Sequence, residues 1–292
     1  MSNILENRCA IVTGASRGLG LEIAKFYLEA GASVTVCGRD AAALERAAAE
    51  LDPHARAGQA LLAVPADVSR LDDVTRLLEA ALARFGRLDI LVNNAGIAGP
   101  CGETETVAWE EWLRTLEINL LGAVLLSRAV LPHLKRAARG KIIQLSGGGA
   151  TRPLPMRSAY AASKAAVVRF IETLAEETLP YRIDVNALAP GALNTRMLDE
   201  LIAAGPERLG REQFERCLQQ QRDGGVALRR GAELAVFLGS ELSNGITGKL
   251  LSAVWDPWRD LPRHLERLQG SDVYTLRRIV PADRDIHFGD DT

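Results

Sequence analysis

Tyr160 and Lys164 stand four residues apart in Tyr160-Ala161-Ala162-Ser163-Lys164, within a segment of helical composition, so phenol and ammonium share one helix face. An ammonium beside a phenol favours the phenolate and draws its pKa down from about 10, which equips the tyrosine as a general acid or base. A second chemistry is written in Gly14-Ala-Ser-Arg-Gly-Leu-Gly20. There Gly14 turns the chain tightly, Gly18 lets backbone N–H groups approach a pyrophosphate, and Gly20 lets a helix pack close on a strand. A third polar turn, Asn93-Asn94-Ala95-Gly96, ends a continuous apolar run over residues 88–92. The carboxyl end of a strand buried on both faces is where open α/β sheets bind ligands.

These groups need elements to hold them, and the pattern supplies an alternation of strands and helices. Residues 9–13 read as a strand before the glycine loop, and 21–30 as a helix stopped by Gly31. Strands follow at 33–37, 61–64, 88–92, 141–146, 182–188 and 250–254, with helices between them at 41–51, 69–85, 109–136, 158–179 and 231–242. Asp40 is placed to cap the helix at 41. The long segment 109–136 carries Asn119 at its middle and is expected to bend near Gly122 and Pro132. Ala159, Ala162, Ala165 and Ala166 suggest close packing on more than one side of the helix that holds Tyr160, hence a subunit interface. Gly205-Pro206 and Gly224-Gly225 divide residues 195–230 into short helical pieces, more like a lid than a core element. With no internal repeat or linker, residues 1–254 read as one domain with that lid, and 255–292 as a C-terminal extension.

Composition narrows the function classes. A net charge of -2 with scattered arginines leaves no basic stripe for nucleic acid or an anionic membrane surface. Cys9, Cys37, Cys101 and Cys217 are far apart, with no Cys-x-x-Cys and no histidine near them, which favours reduced thiols in the cytoplasm over disulfides or a metal site. The N-terminal residues lack the basic and apolar regions of a signal peptide, and the apolar window 118–126 falls short of a membrane span.

Thr13-Gly-Ala-Ser-Arg-Gly-Leu-Gly20, Asn93-Asn-Ala-Gly96, Asn119, Tyr160-x-x-x-Lys164 and Pro190-Gly-x-x-x-Thr195, in that order, resemble the short-chain dehydrogenase/reductase family over about residues 5–254. The resemblance implies an α/β fold, a single doubly wound Rossmann-type domain with a seven-stranded parallel sheet flanked by helices. It also implies a nicotinamide cofactor and the interconversion of a carbonyl and an alcohol. On that resemblance Tyr160 exchanges the proton, Lys164 lowers its pKa and holds the nicotinamide ribose, and Asn119 anchors a water chain that resupplies protons. Asp67 and Val68 are assigned to the adenine, Asn93 and Gly96 to the adenosine ribose, Leu193 and Thr195 to the carboxamide. Gly14, Ser16, Gly18, Leu19, Gly20, Ala95, Pro190 and Gly191 complete the cofactor set. Asp67 also has a plainer reading as a helix-start residue.

The sequence departs from the family pattern in two places. Where the family carries a serine, thirteen residues before the tyrosine, this chain has Gly147, and Ser146 one position earlier is expected to take the role if the run Gly147-Gly148-Gly149 turns it towards the site. A water or a glycine N–H is the substitute otherwise. The usual glycine-rich ending is replaced by Val254-Trp-Asp-Pro-Trp258 and a tail whose Leu261, Leu265 and Leu268 repeat at helical spacing. Gly38-Arg39 stands where an acidic residue would meet a ribose 2′-OH, so Arg39, with Arg17, points to NADP, NAD being the alternative cofactor. The expected function is an NADP-dependent oxidoreductase of a small carbonyl or alcohol, acting as a homo-oligomer, dimer or tetramer. The alternative is a catalytically impaired dinucleotide sensor or scaffold. Arg196, Arg208, Arg211, Arg216 and Arg222 in the lid read as a solvated helix face rather than an anion site.

Overall fold

In the computed structural model, which describes residues 3–286, seven strands form one all-parallel sheet in the order β3-β2-β1-β4-β5-β6-β7. The strands are β1 (Cys9–Thr13), β2 (Ser33–Gly38), β3 (Leu61–Pro65), β4 (Ile90–Asn93), β5 (Gly140–Leu145), β6 (Ile183–Ala189) and β7 (Leu250–Ser252). Parallel neighbours require crossovers, supplied by α1 (Gly18–Glu29), α2 (Ala41–Leu51), α3 (Leu71–Phe85), α4 (Trp109–Leu116), α5 (Gly122–Ala137), α6 (Ser158–Thr178) and, after β6, α7 (Arg196–Leu209), α8 (Arg211–Arg222) and α9 (Leu228–Gly239). Val12 of β1 pairs with Val36 of β2 on one side and Val92 of β4 on the other, so the strand order reverses there. That reversal opens a crevice at the carboxyl ends of β1 and β4.

Successive residues of each strand face opposite layers. Val12, Val34 and Val92 pack with Ile23 and Tyr27 of α1 and Leu234 of α9, whereas Ile11, Leu91 and Val185 pack with Leu77 of α3, Leu126 of α5 and Val168 of α6. Both faces being covered is why the strands read as unbroken apolar runs.

Several boundaries differ from the sequence reading for local reasons. Helix α1 starts at Gly18, three residues early, because Arg17 is already extended at its N-cap. Helix α3 starts at Leu71, two residues late, since the Asp67 carboxylate holds the amide and hydroxyl of Ser69 in a turn. The long helix is interrupted by a π-helical turn, Glu117–Leu121, just before Gly122, while Pro132 lies inside α5. A Cβ on Gly122 would stand 2.8 Å from Val68 Cγ2, so glycine there is what allows the close approach. Trp109–Ala137 is long and apolar enough to cross a membrane by length and composition. Here it serves as a core helix, burying Leu126, Ser127 and Val130 against the sheet.

Helix α7 is broken at Gly205 (φ 77) and joined to α8 at Gly210 (φ 81), both in the left-handed region that glycine tolerates. Leu198, Leu201, Leu209 and Cys217 of this pair form a separate apolar cluster with Ala98 and Cys101 beside the crevice. The tail packs back on its own domain. Trp258 lies against Phe237 of α9, and Leu261 and Leu268, the latter on the short helix α10 (Leu265–Leu268), are buried in the same layer. Residues 287–292 of the expected extension lie outside the described residues.

Candidate active site

The crevice at the carboxyl edge is a cleft of about 920 Å³, within the usual size of a small-molecule site. A larger groove of about 1890 Å³ lies at the opposite edge, where some of the charges pair with one another, as in Arg87–Asp89 at 2.5 Å and Lys141–Asp184 at 2.6 Å. The glycine loop and the Tyr160/Lys164 pair line the smaller cleft.

Its floor is the glycine loop locked to the turn after β4. Thr13 Oγ1 accepts from the amides of Asn94 (2.9 Å) and Ala95 (3.0 Å), and Asn94 Nδ2 donates to the carbonyls of Thr13 and Gly14. A Cβ on Gly14 would stand 2.8 Å from Ala95 Cα, and one on Gly20 would stand 2.5 Å from Gly14 O, so these glycines set how tightly loop, turn and helix close together. The N-terminus of α1, with its unpaired N–H groups and positive dipole end, opens on this floor. Arg17 and Arg39 are exposed at the rim, and the Asp40 carboxylate is committed to capping α2 through Ala43 N at 3.0 Å.

Helix α6 delivers the reactive pair. Tyr160 and Lys164 are both buried on the cleft wall. Lys164 Nζ donates to Leu145 O at 3.0 Å and lies 5.7 Å from the Tyr160 ring centroid. Burial pulls the Lys164 ammonium down to about 8 and pushes the Tyr160 phenol above its ordinary value. The charge that opposes the rise on Tyr160 is Arg157, whose guanidinium carbon sits 4.4 Å from the ring centroid. The expected pull of Lys164 on the phenol is opposed here by desolvation in the dry wall of the cleft, and the cation nearest the ring is an arginine.

Asn119 sits in the π-helical turn, where its amide accepts from Ile97 N (2.9 Å) and donates to Ile97 O (3.1 Å) and Ser163 Oγ (3.0 Å). Ser163 Oγ in turn donates to Tyr160 O, so Asn119 ties the loop after β4 to the turn of α6 that carries the phenol. A π-helical turn inserts one residue and re-aims the side chains after it, a frequent device at functional sites. Gly96 leaves the room they need: a Cβ there would be 3.2 Å from Asn119 Oδ1 and 3.8 Å from Lys164 Nζ.

Of the residues assigned to the cofactor, all but Asn93 lie on the cleft wall. The Asn93 side chain turns into the core towards Ala123 O and Ser127 Oγ, which leaves its backbone for a cofactor, and Asn94 takes the structural role at the floor. Asp67 lines the cleft with its carboxylate held by Ser69 and by Arg114 at 2.7 Å; it caps a turn and not the helix. Ser146 does not reach the phenol. Its Oγ is sealed and without a hydrogen bond, while the direction facing Tyr160 belongs to residue 147, where a Cβ would stand 2.6 Å from the phenol oxygen. Strand geometry explains this correction, because Gly147 stays extended (φ -169, ψ 174) and no bulge turns Ser146 round. Arg157 and Ser163 were not singled out from the sequence. The i, i+3 spacing of Arg157 and Tyr160 was the available signal.

Comparison with known proteins agrees with this geometry. The family model described as short chain dehydrogenase matches residues 8–205. The chain is similar to L-fucose dehydrogenase of Oryctolagus cuniculus, 35% identical over 81% of this chain and 80% of that protein. It is also similar to a 3-oxoacyl-(acyl-carrier-protein) reductase of Chlamydia trachomatis, 34% identical over 86% of this chain and 98% of that one. Among solved structures, 3-ketoacyl-(acyl-carrier-protein) reductase from Brucella melitensis complexed with NADH aligns with a TM-score of 0.74 at 36% identity, covering 87% of this chain and 99% of that chain.

Proposed function

The chain belongs to the short-chain dehydrogenase/reductase family of oxidoreductases, and from that premise we propose that it moves a hydride between NADP(H) and a carbonyl or secondary alcohol, with Tyr160 as the acid/base. The observation that carries this reading is the buried Tyr160, joined to Lys164 and Asn119, on the wall of a cleft whose floor is a glycine loop and a helix N-terminus. When bound, a nicotinamide dinucleotide supplies or receives the hydride. Tyr160 delivers a proton to the substrate oxygen in reduction and removes it in oxidation. Because burial raises the phenol's pKa, the resting group at neutral pH is the protonated acid, and the neighbouring cations draw the phenolate back within reach as the proton leaves. Asn119, through Ser163, fixes the helical turn behind the phenol, and its place beside Gly96 and Lys164 suits the proton-resupplying role. Gly148, on the cleft wall at the start of a 3-10 turn, offers a backbone N–H as the second donor to the substrate oxygen in place of a serine.

Arg17 and Arg39 at the rim, with Asp40 committed to α2, support NADP over NAD. Four free, buried cysteines support a reducing, cytoplasmic setting. The exposed apolar residues of α4 support a homo-oligomer. A non-catalytic sensor is the weaker reading, since a protein that only binds a dinucleotide has no need of a buried phenol held beside the Lys164 ammonium. The test is a panel of carbonyls and alcohols followed by reduced-nicotinamide absorbance with both cofactors. Tyr160→Phe is expected to lose on the order of 10²–10⁴ in kcat while still binding NADPH. Full turnover by that variant would refute the assignment.

A further inference from the structure

Arg157 is 7% exposed, lies on the cleft wall, and has a sealed Nε with no partner. Among the described residues its guanidinium forms no ion pair or hydrogen bond; it lies over the Tyr160 ring, 4.4 Å from guanidinium carbon to centroid, with the Cys101 thiol within reach of its charge. A face laid on a ring leaves the edge of the guanidinium, with its fork of N–H donors, unspent. Burying such a charge without a counter-ion is costly, and the cost is lifted when a ligand brings an oxyanion that matches the fork. Of the other arginines, Arg152 on the cleft wall is exposed and needs no counter-ion, and Arg211 of the lid does not line the cleft. Arg196 pairs with Glu200 and Arg216 with Glu212, Arg222 donates to Gln219, and Arg208 donates to Cys101 O.

We propose that Arg157 is the substrate-side anion site of the cleft, and that the physiological substrate carries an oxyanion, a carboxylate or a sulfonate- or phosphate-like group, on a short arm from the carbon whose oxygen meets Tyr160. This rests on the reading of Tyr160 as the reacting acid. A guanidinium stacked on the reacting phenol restricts the arm to a short one, because a substrate oxygen at the phenol brings the atoms next to it alongside Arg157. Occupation by an oxyanion also neutralises the charge that draws the phenol down, so the anion tunes the acid it sits beside. Arg157 selects hydroxy and oxo acids over their neutral counterparts through a single fork.

The experiment measures binding before turnover. Protein saturated with NADPH, or with NADH if that binds more tightly, is titrated calorimetrically with butyrate, propane-1-sulfonate and neutral butyramide, using wild type, Arg157→Lys and Arg157→Met. At least one anion is expected to bind tenfold or more tighter than butyramide in wild type, with the gap reduced in Arg157→Lys and gone in Arg157→Met. Preference for butyrate assigns a carboxylate, and preference for propane-1-sulfonate a tetrahedral oxyanion. Equal binding of anion and amide by wild type, which needs no variant to fold, overturns the proposal; so does a gap that survives in Arg157→Met. Turnover of 3-hydroxybutyrate and of its methyl ester separates the two readings. Arg157-dependent anion binding without hydride transfer to or from any alcohol or carbonyl leaves this site standing and removes the oxidoreductase reading. Turnover that ignores the acid group, with no anion binding, does the reverse.

Discussion

Lys164 is an ammonium held in a dry wall by one carbonyl, Leu145 O, with no carboxylate beside it among the described residues. Burial lowers its pKa from 10.5 to about 8, so the unfolded chain binds that proton more tightly than the folded one. The sign follows: the penalty is fully present below pH 8 and is relieved as pH rises towards 10.5. At about 1.4 kcal/mol per pH unit across that window, the cost is about 3 kcal/mol at neutral pH, offset by about 1 kcal/mol for the hydrogen bond. Lys164→Met is therefore expected to be inactive yet about 2 kcal/mol more stable than the cofactor-free parent at pH 7, with the gain shrinking above pH 8 in urea titrations. A variant less stable at pH 7 would show that the ammonium is structural. Gly147 carries the complementary constraint. A Cβ 2.6 Å from the phenol oxygen must push the phenol aside, so Gly147→Ala is expected to lower kcat by about tenfold or more with cofactor affinity unchanged. Unaltered kcat would mean that the phenol has room to retreat.

Elements repeat the same contrast between what a sequence states and what packing decides. The strand, glycine loop and helix at residues 9–29 were legible because each glycine has a steric reason that survives in the folded chain: φ 61 at Gly14, φ 58 at Gly18, and 2.5 Å from a Cβ at Gly20 to Gly14 O. The π-helical turn at Glu117–Leu121 was not legible, because one residue added to a helix leaves no mark on the apolar spacing, and Gly122 and Pro132 suggested only a bend. Ser146 was misplaced for a related reason. Three consecutive glycines permit a bulge but do not require one, and the extended Gly147 keeps the strand's alternation. Asn93 and Asn94 could not be ranked without knowing which side of β4 meets α5. The end of β2 is the place where the sequence reading makes its sharpest claim. With Asp40 bound to Ala43 N, no carboxylate there is free for a ribose 2′-OH, and two guanidiniums stand at the rim. Each charge-assisted contact to a phosphate is worth about 1.5–3 kcal/mol, so Arg39→Asp is expected to reduce the NADPH over NADH preference in kcat/KM by about 10- to 100-fold. An unchanged ratio would remove Arg39 from cofactor choice.

At the scale of the whole molecule, the tail and the helix α4 divide the surface between closed and open edges. Beyond β7 the sheet would present an unpaired edge, but Leu250 N donates to Tyr274 O, Lys249 Nζ reaches Ser271 O, and Leu276 N is held by Glu172. The tail thus covers that edge within one chain, with Trp258, Leu261 and Leu268 buried beneath it, and among the described residues none of the tail lines the cleft. An edge already covered is a poor surface for joining copies. The open surface is the stripe Trp109, Leu113, Glu117 and Leu121, at successive i, i+4 positions, with Trp109 60% and Leu121 49% exposed. Trp109 stacks on Trp112 at 5.4 Å, which stiffens the stripe at one end, and Ser158 at the head of α6 accepts from Trp112 Nε1. Large apolar groups lined up on an exposed helix mark a contact surface, and a stripe that meets its own copy about a two-fold axis closes after two chains. With this stripe open and the β7 edge covered, the expected particle is a dimer rather than a tetramer. Light scattering on the full chain should give the mass of two chains, and Trp109→Glu with Leu121→Glu should give one, with Arg17, Tyr160 and the rest of the cleft left in place. A wild-type monomer, or a four-chain particle that survives both substitutions, would show that α4 is not the joining surface.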